Sequence, residues 1–231
     1  MTVSNFSNNS KSPVSLAVSA LRVGQFVVLY DGDEREGEAD LVLIARFVTP
    51  SKIEAMRKAA GGLICVAMPD SVAACLGLPF YTDMLEKTVF RGMSQVKTAY
   101  GDKPAFSISI NHRSVRTGIP DNDRATTIKK FDTLLSNLPT DSIKARKIFT
   151  TSFVSPGHVF LLIGRGIAVR RGHTELSLEL SRRVNLTSGM TGAGATILCE
   201  MLGRGTALSK KGAEDYAKKH GLVFLEGKEL F

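Results

Sequence analysis

The chain has 231 residues, 43% hydrophobic and 23% charged, with a formal net charge of +8, a balance that fits a folded domain with a sizeable core. Three widely spaced cysteines, Cys65, Cys75 and Cys199, argue against a disulfide framework and suit a reducing, cytoplasmic setting. The basic surplus admits a phosphorylated or nucleic-acid partner. No zinc-finger spacing, RNP-like aromatic motif or arginine-rich tract accompanies it, so the expectation is no nucleic acid.

Residues 1–12 are rich in Ser and Asn and are expected to form a flexible N-terminal tail without the apolar segment of a secretory leader. Ser12-Pro13 supplies an N-cap and a first-turn proline for a helix over "VSLAVSALRVG", which Gly24 stops. "QFVVLY" and "DLVLIARFV" read as neighbouring strands joined by the acidic segment "DGDEREGEAD", residues 31–40. "SKIEAMRKAA" is a helix closed by Gly61-Gly62, "LICVAM" a buried strand and "DSVAACLGL" a short helix. Residues 79–104 read as irregular, "AFSISIN" as a strand and "DNDRATTIKKFDTLLSNL" as a helix with an acidic start. The stretch 146–164 reads as extended and loop-like, "GIAVR" as a strand, "HTELSLELSRRVNL" as an amphipathic helix and "ATILCEML" as a strand. Ser209 caps "KKGAEDYAKKH", Gly221 ends it, and "LVFLE" is the last strand. Strands and helices interleave without a linker, which predicts a single α+β domain over 13–231, a mixed twisted sheet flanked by helices. The longest apolar stretch, "VFLLIGRGIAV", is broken by Arg165 and too short to span a bilayer, so no membrane partner is expected.

Chemistry concentrates in a few places. Residues 31–40 hold six carboxylates, Asp31, Asp33, Glu34, Glu36, Glu38 and Asp40, around one arginine, Arg35. Mutual repulsion at that density calls for a cation, and Glu36, Glu38 and Asp40 share one face if the segment is extended. The competing reading is a solvated acidic turn. In "VRRGHTE", Arg170 and Arg171 suit an anion, Gly172 permits close backbone approach, His173 can ligate a metal, and Thr174 adds a hydroxyl at a helix start; alternatively Thr174 only caps the helix. His158 follows Pro-Gly in a turn. Glu200 interrupts an apolar strand, where a buried carboxylate needs a partner or a raised pKa; on an edge it faces water. Thr117-Gly118 precedes an acidic helix start.

Taken in order, "DGDEREGEAD", "TGIPDNDR", "PGHVF", "RRGHTE" and "LCE" span residues 31–200 and resemble the motif set of the 3,4-dihydroxy-2-butanone 4-phosphate synthases of riboflavin biosynthesis, in their single-function archaeal form. The departures are Gly37 where many members carry Asn, Ala39 where Gly is usual, and Arg171 where a second Gly is common. The resemblance implies a domain related to the YrdC-like fold. It implies a lyase that converts D-ribulose 5-phosphate to L-3,4-dihydroxy-2-butanone 4-phosphate and formate. It further implies magnesium, with manganese as an alternative, held by Glu36 and His173. Arg35, Glu36, Asp40, Thr117, Arg170, Arg171, Gly172, His173, Thr174 and Glu200 would contact substrate. Asp31, Glu38, Asp40, Cys65, His158 and Glu200 would carry or line the proton transfers. A homodimer with its sites at the subunit interface is implied as well. The competing classes are a metal-dependent isomerase or aldolase for another phosphosugar, which releases no formate, and an RNA- or nucleotide-binding module.

Overall fold

The computed structural model describes residues 12–94, 98, 101–188 and 194–231. The expected tail therefore lies outside the described residues apart from Ser12, whose hydroxyl accepts from the Ser15 N–H and caps α1 (Pro13–Arg22). The remaining elements are β1 (Val27–Tyr30), β2 (Ala39–Ile44), α2 (Pro50–Ala55), β3 (Cys65–Pro69), α3 (Asp70–Leu76), α4 (Tyr81–Leu85), β4 (Phe106–His112), α5 (Asp121–Ser136), α6 (Ser142–Ser152), β5 (Phe153–Gly164), α7 (His173–Ser188), β6 (Thr196–Glu200), α8 (Lys210–His220) and β7 (Val223–Glu226). Met56–Ala60 extends α2 as a wider π turn, which Gly61 closes at φ +90°.

The seven strands form one mixed sheet in the order β4-β5-β3-β6-β2-β1-β7. The β3–β5 and β1–β7 pairs are parallel and the others antiparallel. The α+β expectation holds, and both faces of the sheet are covered. Alternation along each strand divides the core. Leu41 and Leu43 face the side packed by α2, α3, α5, α6 and α8. Val42 and Ile44 face α1 and α7, which bring Leu21, Leu176, Leu180 and Val184. The last three recur at four-residue spacing on α7 and are fully buried; each contributes about 1.5–3 kcal/mol of hydrophobic stabilisation. That seam fixes where the N-terminus of α7 meets the sheet.

Four segments depart from the sequence reading. Residues 142–152 are helical, because the Asp141 carboxylate caps the Ile143 and Lys144 N–H groups and the Thr150 and Thr151 hydroxyls bond back to carbonyls of the preceding turn. "GIAVR" is a turn in which the Val169 and Arg170 N–H groups both reach the Gly166 carbonyl, with Gly166 at φ +84°. The irregular stretch 79–104 contains α4 and a 3-10 turn at Arg91–Met93. The second strand also ends early, at Ile44, in a 3-10 turn over Ala45–Phe47.

Candidate active site

The acidic segment is the β1–β2 connection, as expected, but only its last residues are extended. Residues 33–36 form a turn and Gly37 takes φ +66°, so Glu36 owes its direction to the turn and not to strand alternation. Asp31 builds that turn. It is 3% exposed, and its two oxygens accept the Glu36 N–H at 3.0 Å and the Glu38 N–H at 3.2 Å. The Tyr30 hydroxyl donates to Asp33 at 2.5 Å and pins the turn's other side.

Strand alternation does act on the next residues. Asp40 pairs with Glu200 across β2 and β6, and Cys65 pairs with Leu198 on the adjoining strand. Asp40 shares its face with Val42 and Ile44, Glu200 with Leu198, and Cys65 lies in the same layer. All three therefore point toward the α7 side, where His173 and Thr174 begin that helix. A cavity of about 210 Å³ opens there, lined by Glu36, Asp40, Arg170, His173, Thr174 and Glu200 among others. Asp40 and Glu200 lie on central strands, so the edge reading of Glu200 fails. Asp40 Oδ1 and Glu200 Oε2 are buried with no hydrogen-bond partner, which at a cavity wall indicates atoms that await a ligand.

Electrostatics follow from this crowding. Burial, opposed by His173 and reinforced by Glu200, Glu36 and Glu38, pushes Asp40 up to about 7. Burial and Glu36 raise Glu38, and burial raises Glu200. Cys65 is 1% exposed, and burial with the Glu200 and Asp40 charges lifts its thiol well above the usual range, so it stays protonated and is no thiolate nucleophile. For His173, burial opposes charge, but Asp40, Glu36 and Asp31 outweigh it and bring it up to about 10. Its Nε2 lies 3.1 Å from the Glu38 carbonyl oxygen, which only accepts, so Nε2 carries a proton. Nδ1 is left facing Glu36 Oε2 at 3.7 Å.

These residues fit a hard divalent cation. Asp31, Glu36 and His173 each present a ligand atom, all within 4.8 Å of one another. Asp31 is committed to the backbone amides, so the ligand atoms the site would offer are a Glu36 carboxylate oxygen and His173 Nδ1. One carboxylate would suit the oxygen preference of magnesium and the imidazole would also accept manganese, with water and substrate oxygens supplying the other ligands, and the Nε2–carbonyl contact orients the imidazole from behind.

The basic half of the site comes from the 166–172 turn. Arg170 is 7% exposed, with Nη1 2.6 Å from Glu175 Oε2 and Nη2 3.5 Å from Glu36 Oε1. A Cβ on Gly172 would lie 2.2 Å from Arg170 Nη1, so this glycine makes room for the arginine itself. Arg171 points elsewhere: its guanidinium stacks 3.9 Å over the Phe231 ring and is not part of the cavity wall. Arg35 is held by Asp31 at 3.6 Å and by Asp102 at 2.7 Å.

Thr117 and His158 form a separate, exposed cluster at β4 and β5. The Thr117 and Gly118 N–H groups donate to Asp123, Asn111 donates to the Thr117 carbonyl, and the His158 N–H donates to Asn111. A Cβ on Gly118 would sit 2.1 Å from the Asn111 amide. By register β3 lies between His158 and Glu200, about 10 Å across the sheet. The sequence reading missed Glu175, Asp102 and Gly62. Only Glu175 had a local signal, in "HTE"; a Cβ on Gly62 would lie 2.4 Å from Glu200 Oε2, a contact visible only in the fold.

Comparison with known proteins supports the motif resemblance over almost the whole chain. A family model described as 3,4-dihydroxy-2-butanone 4-phosphate synthase matches residues 15–231. Synthases of that name from Methanosarcina mazei and Methanothermobacter thermautotrophicus are each 40% identical, over 96% and 93% of this chain and 90% and 92% of their own. A crystal structure of the synthase in complex with two magnesium ions aligns with a TM-score of 0.70 at 25% identity, covering 93% of this chain and 92% of that one. The Candida albicans synthase aligns with the same TM-score and identity, covering 95% of both chains. The chain belongs to the 3,4-dihydroxy-2-butanone 4-phosphate synthase family.

Proposed function

We propose that this protein converts D-ribulose 5-phosphate to L-3,4-dihydroxy-2-butanone 4-phosphate and formate for riboflavin biosynthesis. The observation that carries the reading is the meeting of the acidic 31–40 turn and the basic 170–174 turn, far apart in sequence, on one cavity with buried carboxylate oxygens that make no hydrogen bond. The two products together account for every atom of the pentose phosphate, so the reaction needs no oxidant or reductant. It needs proton transfer and charge stabilisation, which this wall offers.

Glu36 and His173 Nδ1 hold magnesium, with manganese as the alternative, and the cation supplies Lewis-acid stabilisation of negative charge on the sugar oxygens. Arg35, Arg170 and Thr174 take the phosphate. Asp40, held near neutrality, takes a proton from the carbon beside the ketone and can return it; Glu38 and Glu200 serve the later transfers, since raised carboxylates are suited to both roles. Asp31 positions Glu36, and Cys65 lines the wall as a neutral thiol. Thr117 and His158 reach substrate in the site of a second copy, so the working unit is a homodimer. Their exposure and their separation from Glu200 support this assignment. The three free thiols suit the cytoplasm.

The test is to incubate the protein with magnesium and uniformly carbon-13-labelled D-ribulose 5-phosphate and follow it by NMR. The reading requires labelled formate and a four-carbon phosphoketone in equal amounts. Isomerised pentose phosphate without a one-carbon product would sink it.

A further inference from the structure

Asp102 belongs to none of the sequence motifs, yet its carboxylate joins the two arginines assigned to the substrate phosphate. Its Oδ2 lies 2.7 Å from Arg35 Nη2 and 3.6 Å from Arg170 Nε. Each arginine also has a fully buried carboxylate partner, and Arg170 has in addition the part-exposed Glu36 at 3.5 Å. Arg35 pairs with Asp31, and Arg170 with Glu175, and both of those side chains have no solvent exposure. The Asp102 side chain is 26% exposed and sits on the segment before β4, whose Thr98 and Pro104 border the cavity. The segment is braced next to it: Arg165 donates to the Lys103 and Pro104 carbonyls at 3.0 Å, and its guanidinium lies 3.9 Å over the Phe80 ring. Each arginine thus has a buried counter-ion of its own, and the solvent-facing Asp102 carboxylate is the one that contacts both.

We infer that Asp102 is a built-in competing anion: its carboxylate bridges Arg35 and Arg170 in the substrate-free protein, and the phosphate group of the substrate displaces it. This inference rests on the phosphate site proposed above. One oxygen shared between two guanidinium groups is what a phosphate oxygen would supply, and a tethered carboxylate already in that place lowers the apparent affinity for any free anion. Asp102 is therefore an affinity-setting residue and not a catalytic one. It keeps two like charges neutralised before substrate arrives, and it disfavours anions that cannot replace its charge on both arginines.

The test compares wild type, Asp102→Asn, Asp102→Ser and Arg35→Gln with inorganic phosphate as the probe, measured both as a competitive inhibitor of turnover and by calorimetry with magnesium present. Asp102→Asn and Asp102→Ser are expected to bind phosphate about 2- to 5-fold more tightly, the range for loss of a partly exposed ion pair, and to lower KM without raising kcat. Unchanged or weaker phosphate binding in both would overturn the inference and make Asp102 a structural brace. Arg35→Gln separates the two levels. If it weakens phosphate binding while the Asp102 variants do not tighten it, the phosphate site stands and only the role of Asp102 fails. If Arg35→Gln leaves phosphate binding unchanged, the phosphate site fails and the inference falls with it.

Discussion

His173 concentrates the site's electrostatics in one side chain. Against the opposing effect of burial, Asp40, Glu36 and Asp31 bring it up to about 10, which favours the imidazolium near neutral pH. Ligation through Nδ1 requires the neutral ring, so a divalent cation must displace a proton. Below pH 10 the free protein holds that proton and the cation-bound protein does not, so affinity rises with pH. Titration calorimetry with magnesium, in buffers of different ionisation enthalpy, should show release of about one proton per cation near neutral pH. Binding without proton release would place the cation away from His173. Glu36 and His173 were legible in the sequence as candidate ligands by residue type, but the reason for Asp31 was not. Its oxygens hold two backbone amides, and such bonds to turn residues leave no mark in composition.

At the scale of elements, residues that place the site separate from residues that only hold the fold. Gly62 donates its N–H to the Glu200 carbonyl, and a Cβ there would lie 2.4 Å from Glu200 Oε2 and 2.7 Å from its backbone oxygen. Ser209 caps α8 by accepting from the Gly212 N–H at 3.1 Å, with its hydroxyl outside the cavity wall. Gly62→Ala should lower kcat by moving the Glu200 carboxylate. Ser209→Ala should cost about 1 kcal/mol of stability in a denaturant melt and leave kcat of the folded protein unchanged. Elements with strong local signals were readable in advance, as the Ser12-Pro13 and Ser209 caps and the apolar runs of β1, β2, β3 and β6 demonstrate. Residues 142–152 were not, because threonines and the following "SFVSPG" favour an extended reading, whereas in the fold the hydroxyls bond back to helix carbonyls. "GIAVR" failed for the opposite reason: its β-branched residues suit a strand, but it closes a turn on Gly166.

For the whole molecule, sheet order decides which motifs can cooperate within one chain. The strands β2, β6 and β3 bring Asp40, Glu200 and Cys65 to a single face, and α7 lays His173 over it. The same order leaves Thr117 and His158 outside that wall, though all the motifs looked equivalent in the sequence. Sequence order cannot distinguish residues that meet within one chain from residues that meet between two copies. If Thr117 and His158 complete a second copy's site, then Glu36→Ala and His158→Ala, each inactive alone, should recover activity when refolded together. Random pairing restores about a quarter of wild-type turnover, because half the dimers are mixed and each mixed dimer has one intact site. No recovery would place His158 in its own chain's site or outside the site altogether. Among the described residues no helix is long and apolar enough to cross a membrane.

On the proposed reading, residues 31–40 are half of a cation-dependent active site whose other half is the 170–174 turn. The most direct measurement is the rate of formate release from D-ribulose 5-phosphate by wild type, Glu36→Ala and His173→Ala, each with magnesium and each with excess chelator. Wild type should release formate, lose that release with chelator and regain it with magnesium, and neither folded variant should release any. Formate release that survives the chelator, or that survives both substitutions, would contradict that reading.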